Sequence, residues 1–437
     1  MNSSTRPTGI KAFLIIWISQ IISILASGMT GFAFSIWLYQ QTESATAMGL
    51  MQVFYITPFL LMSPLAGVMV DRYSRKLMMM ISDLAAGTGT IFILALFLTG
   101  HLQFWHLYIA AVLNGIGNTF QWPAYSAAIS IMVPKEQLGR VNGLMSLMEA
   151  GPGVLAPLAA GALLPLIGIQ GILIIDIITF VIAILALSYV FIPKPSQSEE
   201  GKRSQGSFLR EALFGFEYIF KRRSLLGLQL IFLAANLFSG IGYTLLAPMI
   251  LAKTGQNSLI FGTVQSMAAA GSVAGGIIMS IWGGFKRRVH GVLMGWMALG
   301  FGMMLMGYAN QLTLWIAAAI FINLFGPLIN SSNQAIWQSK VHPDLQGRVF
   351  SARRLIAWLT TPISPIIAGT LADFVFEPLF RQPDGWVGLV TNLTGSGPGS
   401  GMGFLFFLCG IGVLLVGLFG YSVKPVRDVE DVLPDVI

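Results

Sequence analysis

Charge is scarce in this chain: Asp, Glu, Lys and Arg together make up 10% of its 437 residues. A soluble domain carries about 25%, so this one lacks the polar surface to cover itself against water. There is one cysteine, Cys409, set in an apolar run, which excludes an internal disulfide. The four histidines, His101, His106, His290 and His342, fall at loops without metal-ligand spacing, and no metal site is expected. No GxxxxGK(S/T) loop occurs, so ATP is not the driving force. Short glycine patterns such as Gly115-Ile-Gly117 sit inside apolar spans and indicate close helix packing. No cluster of acids and histidines and no nucleophile–base pair is present; an enzyme is not expected, nor is any cofactor.

What is present is apolar. Hydrophobic residues make up 55% of the chain, with a mean hydropathy of +0.75. Crossing the ~30 Å core of a bilayer takes about 20 residues of helix, and the uncharged stretches are long enough. Residues 1–11 are polar, and the uncharged run Ala12–Thr42 exceeds a signal-peptide core, so it reads as a retained first span. The net charge of +7 would suggest nucleic acid in a soluble protein. In a membrane protein it marks the cytoplasmic loops, and no nucleic-acid partner is expected.

Apolar segments fall at 12–40, 48–70, 77–99, 104–132, 139–167 and 170–192, then at 225–252, 258–285, 289–309, 312–339, 347–372 and 402–422. The fold class expected is therefore an all-α membrane protein with twelve transmembrane helices. Three regions follow: a six-helix bundle over 1–192, a cytoplasmic linker over 193–223, and a second six-helix bundle over 224–437. With both termini cytoplasmic, every Lys and Arg except Lys253 and Arg381 lies on the inner side. The halves repeat: Gly139-Arg140-Val141 recurs as Gly347-Arg348-Val349, and at the same offset Pro157 matches Pro365 and Ala160-Gly161 matches Ala368-Gly369. Same-direction repeats imply a pseudo-two-fold axis along the membrane normal, with the substrate path between the bundles.

Residues 67–76 read GVMVDRYSRK, an abrupt charge cluster after the uncharged stretch Ser44–Val70. The whole chain resembles the major facilitator superfamily, and this segment resembles that family's loop between spans 2 and 3: Gly67, Asp71-Arg72, Arg75-Lys76, with Ser74 where a glycine is usual. FQWPAYSAA (120–128), VPKEQLGRVNGL (133–144) and LIIDIITFVI (173–182) resemble the macrolide-efflux branch of the drug–proton antiporters. The resemblance implies a conformational latch, in which Asp71 meets the N-terminal end of span 11, where free N–H groups favour an anion. Arg75 is placed to bond the same carboxylate, and Gly67 lets the two helices approach. The alternative is that the cations only anchor topology. The second half answers with GGFKRR (283–288), three cations without an acid, which reads as a topology anchor.

Span 4 carries Asn114, Asn118, Gln121 and Tyr125 on one helical face, and span 10 repeats the device with Asn323, Asn330, Gln334 and Trp337. Span 1 offers Gln20, Ser23, Ser27 and Phe34; span 7 offers Asn236 and Tyr243. Amides facing lipid cost several kcal/mol each, so these faces should point inward. The resemblance implies that these four spans line the cavity. Amides and aromatics with almost no fixed charge suit a small amphipathic substrate. The alternative for each residue is a helix–helix hydrogen bond.

Three acids are candidates for proton coupling: Glu149, Asp83 and Asp176. Glu149 lies nine residues beyond Arg140, roughly 13 Å along a helix, on a stripe with Asn142, Ser146 and Gly153. Its run Glu149-Ala-Gly151-Pro152-Gly153, continuing to Pro157, is similar to the Gly-Pro motif of the antiporters, with the glycine spacing met in part. For Asp176, packing is favoured over coupling. In the linker, SFLREALFGFEYIFKRR (207–223) reads as a helix on the inner membrane surface, with Lys221 to Arg223 near anionic headgroups. Residues 374–401 read as a flexible outer loop. Arg353 and Arg354 are expected to snorkel to the cytoplasmic surface.

The reading favoured is a proton-coupled exporter of hydrophobic or amphipathic compounds in a bacterial cell membrane, a monomer with the lipid bilayer and protons as partners. The alternatives are a carrier of the same fold with one dedicated substrate, such as a siderophore, a lipid or a secondary metabolite, and a non-transporting sensor. Glu149→Gln is expected to abolish efflux driven by a pH gradient while leaving the protein in the membrane; full transport by that variant would remove Glu149 from the coupling.

Overall fold

The computed structural model describes residues 7–133, 138–192, 215–342, 345–381 and 385–433. Every regular element among them is helical. This is what the solvent requires: hydrocarbon offers no partner to a backbone N–H or C=O, and a helix satisfies both within one segment.

The first unit comprises Met1–Ser196 together with Gln256–Ser266. Its helices are α1 (Gly9–Thr42), α2 (Ala45–Arg72), α3 (Arg75–Leu98), α4 (His106–Met132) and α5 (Leu138–Tyr189). Short polar turns set their ends. Glu43 closes α1 in the left-handed conformation, its N–H bonding the Tyr39 carbonyl, and the Ser44 side chain caps α2 by accepting from the Ala47 N–H. Within α5 the helix breaks at Gly168, whose φ of 64° and ψ of −179° no side-chain-bearing residue adopts cheaply. That turn falls where spans 5 and 6 were expected to part. Within the unit, α1 packs on α5, and α4 on both α2 and α3.

The second unit comprises Gln197–Gly255 and Met267–Ile437. It holds α6 (Arg223–Lys253), most of α7 (Ser258–Trp282), α8 (Arg288–Tyr308), α9 (Leu312–Leu324), α10 (Gly326–Lys340), α11 (Gln346–Trp358) and α12 (Ile363–Leu371). After a π turn at Ala372–Phe376 come α13 (Glu377–Arg381), α14 (Trp386–Thr394), α15 (Ser400–Ser422), α16 (Lys424–Arg427) and α17 (Val429–Val432). The expected span over 312–339 divides at Phe325 because Pro327, at the start of α10, cannot donate the hydrogen bond that would carry α9 onward. Pro362 likewise separates α11 from α12. The α8–α15 pair packs closely, with Gly300 against Gly410 and Gly307 against Gly403.

Ten helices among the described residues are long and apolar enough to cross a membrane, against the twelve expected. One of the ten, Ala150–Tyr189, has 40 residues. That is about 60 Å at 1.5 Å per residue, twice the hydrocarbon thickness, and the Gly168 break falls within it.

One expectation needs correcting. Residues 374–401 are not a flexible loop over their described length, since α13 and α14 occupy much of it. Glu377 fastens this segment by accepting from the N–H groups of Gly399 (3.2 Å) and Met402 (2.9 Å) at the start of α15. Lys253 adds bonds to Asn310 Oδ1 (2.8 Å) and the Thr394 carbonyl (3.0 Å). In the linker, residues 207–214 lie outside the described residues. The remainder is helical over 215–220, with Tyr218 and Ile219 buried and Glu217 and Lys221 exposed. Arg222 stacks on the Tyr218 ring, 3.4 Å from its centroid.

Gly115 and Gly117 do mark close packing. A Cβ at Gly115 would overlap the Tyr55 carbonyl oxygen of α2, and one at Gly117 would lie 2.8 Å from the Ser82 carbonyl oxygen of α3. Gly115→Ala is therefore expected to cost about 1–3 kcal/mol through overpacking, read as earlier thermal unfolding in detergent. Gly276→Ala, where nothing lies within 4 Å of the added atom, should be neutral or mildly stabilising in the same assay.

Candidate functional site

Three helices of the first unit each contribute one polar side chain to a single point. Asp83 of α3 accepts from Gln20 Nε2 of α1 at 2.7 Å and from Gln121 Nε2 of α4 at 3.2 Å. Gln121 Nε2 also donates to Gln20 Oε1 at 2.8 Å, which closes the triangle. Gln20 is buried, while Asp83 and Gln121 are half-buried. The oxygen of the Gln121 amide, Oε1, is buried and has no hydrogen-bond partner among the described residues. One helical turn along α4, the Tyr125 hydroxyl is in the same condition.

This arrangement can serve both protonation states of the acid. Ionised, Asp83 accepts two amide N–H bonds. Protonated, it needs an acceptor for its own O–H, and the unsatisfied Gln121 oxygen supplies one if that amide turns over. The triangle joins residues expected separately, Gln20 and Gln121 in a cavity wall and Asp83 as a coupling acid.

Two helical turns farther along α1 and α3 lies a second rung, about 10 Å from the first. Here Asp176 of α5 accepts from Ser27 Oγ of α1 and Thr90 Oγ1 of α3, both at 2.8 Å. Asp176 is 3% exposed. Thr90 was not anticipated. Nothing in its apolar surroundings singles it out, and only its seven-residue spacing from Asp83 on α3 hints at a shared face.

The other cavity candidates divide. Asn114 and Asn323 bond their own helices, donating to the Ala110 carbonyl at 3.0 Å and the Ala319 carbonyl at 2.9 Å. Asn118 is exposed and donates to the Tyr55 hydroxyl of α2 at 2.6 Å, which brings Tyr55, overlooked in the sequence, into the site. Phe34 and Tyr125 are buried, Asn236 and Gln334 half-buried, and Asn330 exposed. Tyr243 is 39% exposed. Trp337 is fully buried, its indole N–H donating to Asn333 Oδ1 at 3.0 Å, and the Arg353 guanidinium lies 5.4 Å from its ring. Trp337 is thus packed inside the second unit, and Arg353 turns onto it.

The GVMVDRYSRK segment forms the α2–α3 junction. Asp71 and Arg72 end α2, Arg75 and Lys76 open α3, and Tyr73-Ser74 is the turn between them. Ser74 explains the departure from glycine: its φ is −67°, and its hydroxyl caps α3 by accepting from the Leu77 N–H. Cations at a helix N-terminus oppose its dipole. Lys76 instead reaches the far end of α5, donating to the Ser188 and Val190 carbonyls at 2.8 Å each. Gly67, Asp71, Arg72 and Glu149 sit on described helices, but their side-chain surroundings lie outside the described residues. Neither the latch role of Gly67, Asp71, Arg72 and Arg75 nor the coupling role of Glu149 can be read from contacts.

The model of the Major Facilitator Superfamily matches residues 16–365. Macrolide efflux protein A of Streptococcus pyogenes is 26% identical over 83% of this chain and 89% of its own length. The enterobactin exporter EntS of Escherichia coli O81 is 23% identical, covering 72% of this chain and 73% of its own. A bacterial homologue of the human lysosomal transporter Spinster, solved in an inward-facing and unoccupied conformation, superposes with a TM-score of 0.69. It shares 16% identity, with 95% of this chain and 96% of that one covered.

The Asp176 rung generates a test. Asp176→Ala leaves two hydroxyls without their acceptor and should cost about 1–3 kcal/mol, seen as a lower melting temperature in detergent. Asp176→Asn keeps one acceptor oxygen and should retain most of that stability and full transport.

Proposed function

The chain belongs to the major facilitator superfamily, a transporter and not an enzyme, and from that premise we propose that it exports hydrophobic or amphipathic small molecules across the bacterial cell membrane in exchange for protons. The observation that carries the coupling is the Gln20–Asp83–Gln121 triangle. Asp83 is an acid on one membrane helix bound by amides from two others. Among the described residues no cation is bonded to it, and an unsatisfied acceptor stands beside it. A carboxylate without a countercharge in low dielectric favours taking up a proton. Helix movement that shifts Gln20 or Gln121 changes which form is preferred, and this links protonation to conformation.

The substrate class follows from what the polar faces present. Asn118 with Tyr55, Asn236, Tyr243 and Asn330 offer adaptable hydrogen bonding and aromatic surface, with no acid at all between residues 218 and 343. Such a lining suits uncharged or weakly charged bulky ligands better than sugars or phosphates. The relative with the higher identity reported above is a macrolide efflux protein, and that cargo fits this chemistry.

The architecture we propose has twelve crossings in two pseudo-symmetric bundles. Residues 138–167 and 169–189 cross separately, α4 crosses as well, and both termini lie in the cytoplasm. Each bundle turns its polar face toward the transport path, and the protein works as a monomer. A second reading, one dedicated substrate such as a siderophore, draws support from the enterobactin exporter among the relatives.

Reconstituted protein under an imposed pH gradient, challenged with macrolides and lipophilic dyes, is expected to move several unrelated compounds that compete with one another. Asp83→Asn should abolish gradient-driven efflux while substrate binding persists. Transport of a single compound without competition would favour the dedicated carrier, and gradient-driven efflux by Asp83→Asn would remove Asp83 from the coupling.

A further inference from the structure

The cation cluster GGFKRR between α7 and α8 has no acid of its own, and in the structure acids reach it from the far end of the chain. Arg287 Nη2 bonds Asp431 Oδ2 at 2.5 Å and lies 3.6 Å from Asp428 Oδ1. Glu430 Oε2 accepts from the Val289 N–H at 2.9 Å, an anion on the positive end of the α8 dipole. Lys340, the last residue of α10, donates its Nζ to the carbonyls of Glu430 and Leu433. It is 5% exposed. The same residue's carbonyl accepts from the Tyr218 hydroxyl of the linker helix.

The tail is seated by packing as well as charge. Val426 and Val429, one turn apart, are buried, and Val426 packs against Gly227 of α6. Asp428 and Asp431 are more exposed. The Arg427 guanidinium grips Asp428 through two bonds, of 3.0 and 3.1 Å, and holds its carboxyl below the usual carboxylate range, so it is charged at cytoplasmic pH. Nearby, His290 Nδ1 lies 3.0 Å from the Tyr421 hydroxyl, tying the start of α8 to the end of α15.

We infer that residues 424–433 are a clasp: the C-terminal tail supplies the acids that the α7–α8 loop lacks and fastens α6, α8, α10, α15 and the linker helix at the cytoplasmic end of the second unit. The clasp stays closed throughout the working cycle. Its core is Lys340, buried, on two carbonyls, and Glu430, half-buried, on the α8 N-terminus. Its outer pair is exposed, Arg287 by 44% and Asp431 by 68%, and salt screens that pair. In the first unit a lysine likewise caps carbonyls at the end of a neighbouring helix, Lys76 on α5, so each unit pins its inner end with a cation on a C-terminus.

The clasp concerns the second unit alone and holds whichever substrate is carried, so its test needs readouts of its own. The full-length triple variant Asp428→Asn, Glu430→Gln, Asp431→Asn retains the valines. It should melt at lower temperature than the wild type in detergent, and raising the salt should destabilise the wild type but not the variant. Equal melting temperatures, or an equal response to salt, would overturn the inference. In a Cys409→Ser background, Arg287→Cys with Asp431→Cys should cross-link within one chain in native membranes. Absence of the link would mean that the tail is not docked. The linked protein should keep its efflux of a lipophilic dye that the wild type moves; loss of most of that efflux would show that the tail must release, against a permanent clasp. Should no dye move even in the wild type, the export proposal fails, while melting and cross-linking still decide the clasp.

Discussion

Hydrocarbon accepts no hydrogen bonds, and most of what distinguishes this protein follows from where its polar groups find partners instead. The backbone solves the problem by being helical. Isolated polar side chains solve it locally: Asn114, Asn323, Thr119 and Thr244 each bond a carbonyl four residues back on the same helix. Such bonds use one donor of each side chain within its own helix. Acids cannot use this route, since an ionised carboxylate only accepts and helix carbonyls only accept too. Asp83 and Asp176 must therefore recruit donors from other helices, and by doing so they fix the axial register of α1, α3, α4 and α5.

This difference decides what could be read in the sequence. Some helix ends were legible because they depend on neighbours in the chain: spans 5 and 6 were expected to part where the left-handed Gly168 stands, whereas the Pro327 break inside the expected 312–339 span was not foreseen. The GxG pattern at Gly115 and Gly117 was legible as close packing because a missing side chain has few other uses inside an apolar span. The carboxylate partners were not legible. Gln20 and Gln121 could be placed on inward faces, but their meeting at Asp83 depends on the relative rotation and height of three helices. Thr90 on Asp176 and Tyr55 on Asn118 depend on the same long-range geometry. The tail was illegible for a related reason. Nothing within RDVED itself points to Arg287 or to the first turn of α8, where its acids bind.

The cations show the same logic at the membrane boundary. Lys76, Lys253 and Lys340 each spend their charge on backbone carbonyls near helix ends. A positive side chain at a C-terminus satisfies orphan carbonyls and complements the dipole. Counted in the sequence, these lysines only set orientation. In the structure they also hold the ends of helices against one another, which a headgroup-facing lysine could not do.

The contrast between the two buried acids bears on which of them can exchange a proton. Asp176 is enclosed, and each of its oxygens already has a hydroxyl donor. Removing its charge would leave both hydroxyls to rotate toward other acceptors, with nothing in its surroundings gained. Asp83 is half-buried and held by amides, which cannot rotate a hydrogen away as a hydroxyl can. Only by turning a whole amide over can Gln121 change from donor to acceptor, and doing so breaks its bond to Gln20 as well. Protonation at Asp83 would therefore disturb a contact between α1 and α4, whereas protonation at Asp176 would be absorbed within its own rung. Under the proposed exchange, a proton taken up at the first site would be sensed by two neighbouring helices, and this makes it the better candidate to join chemistry to movement.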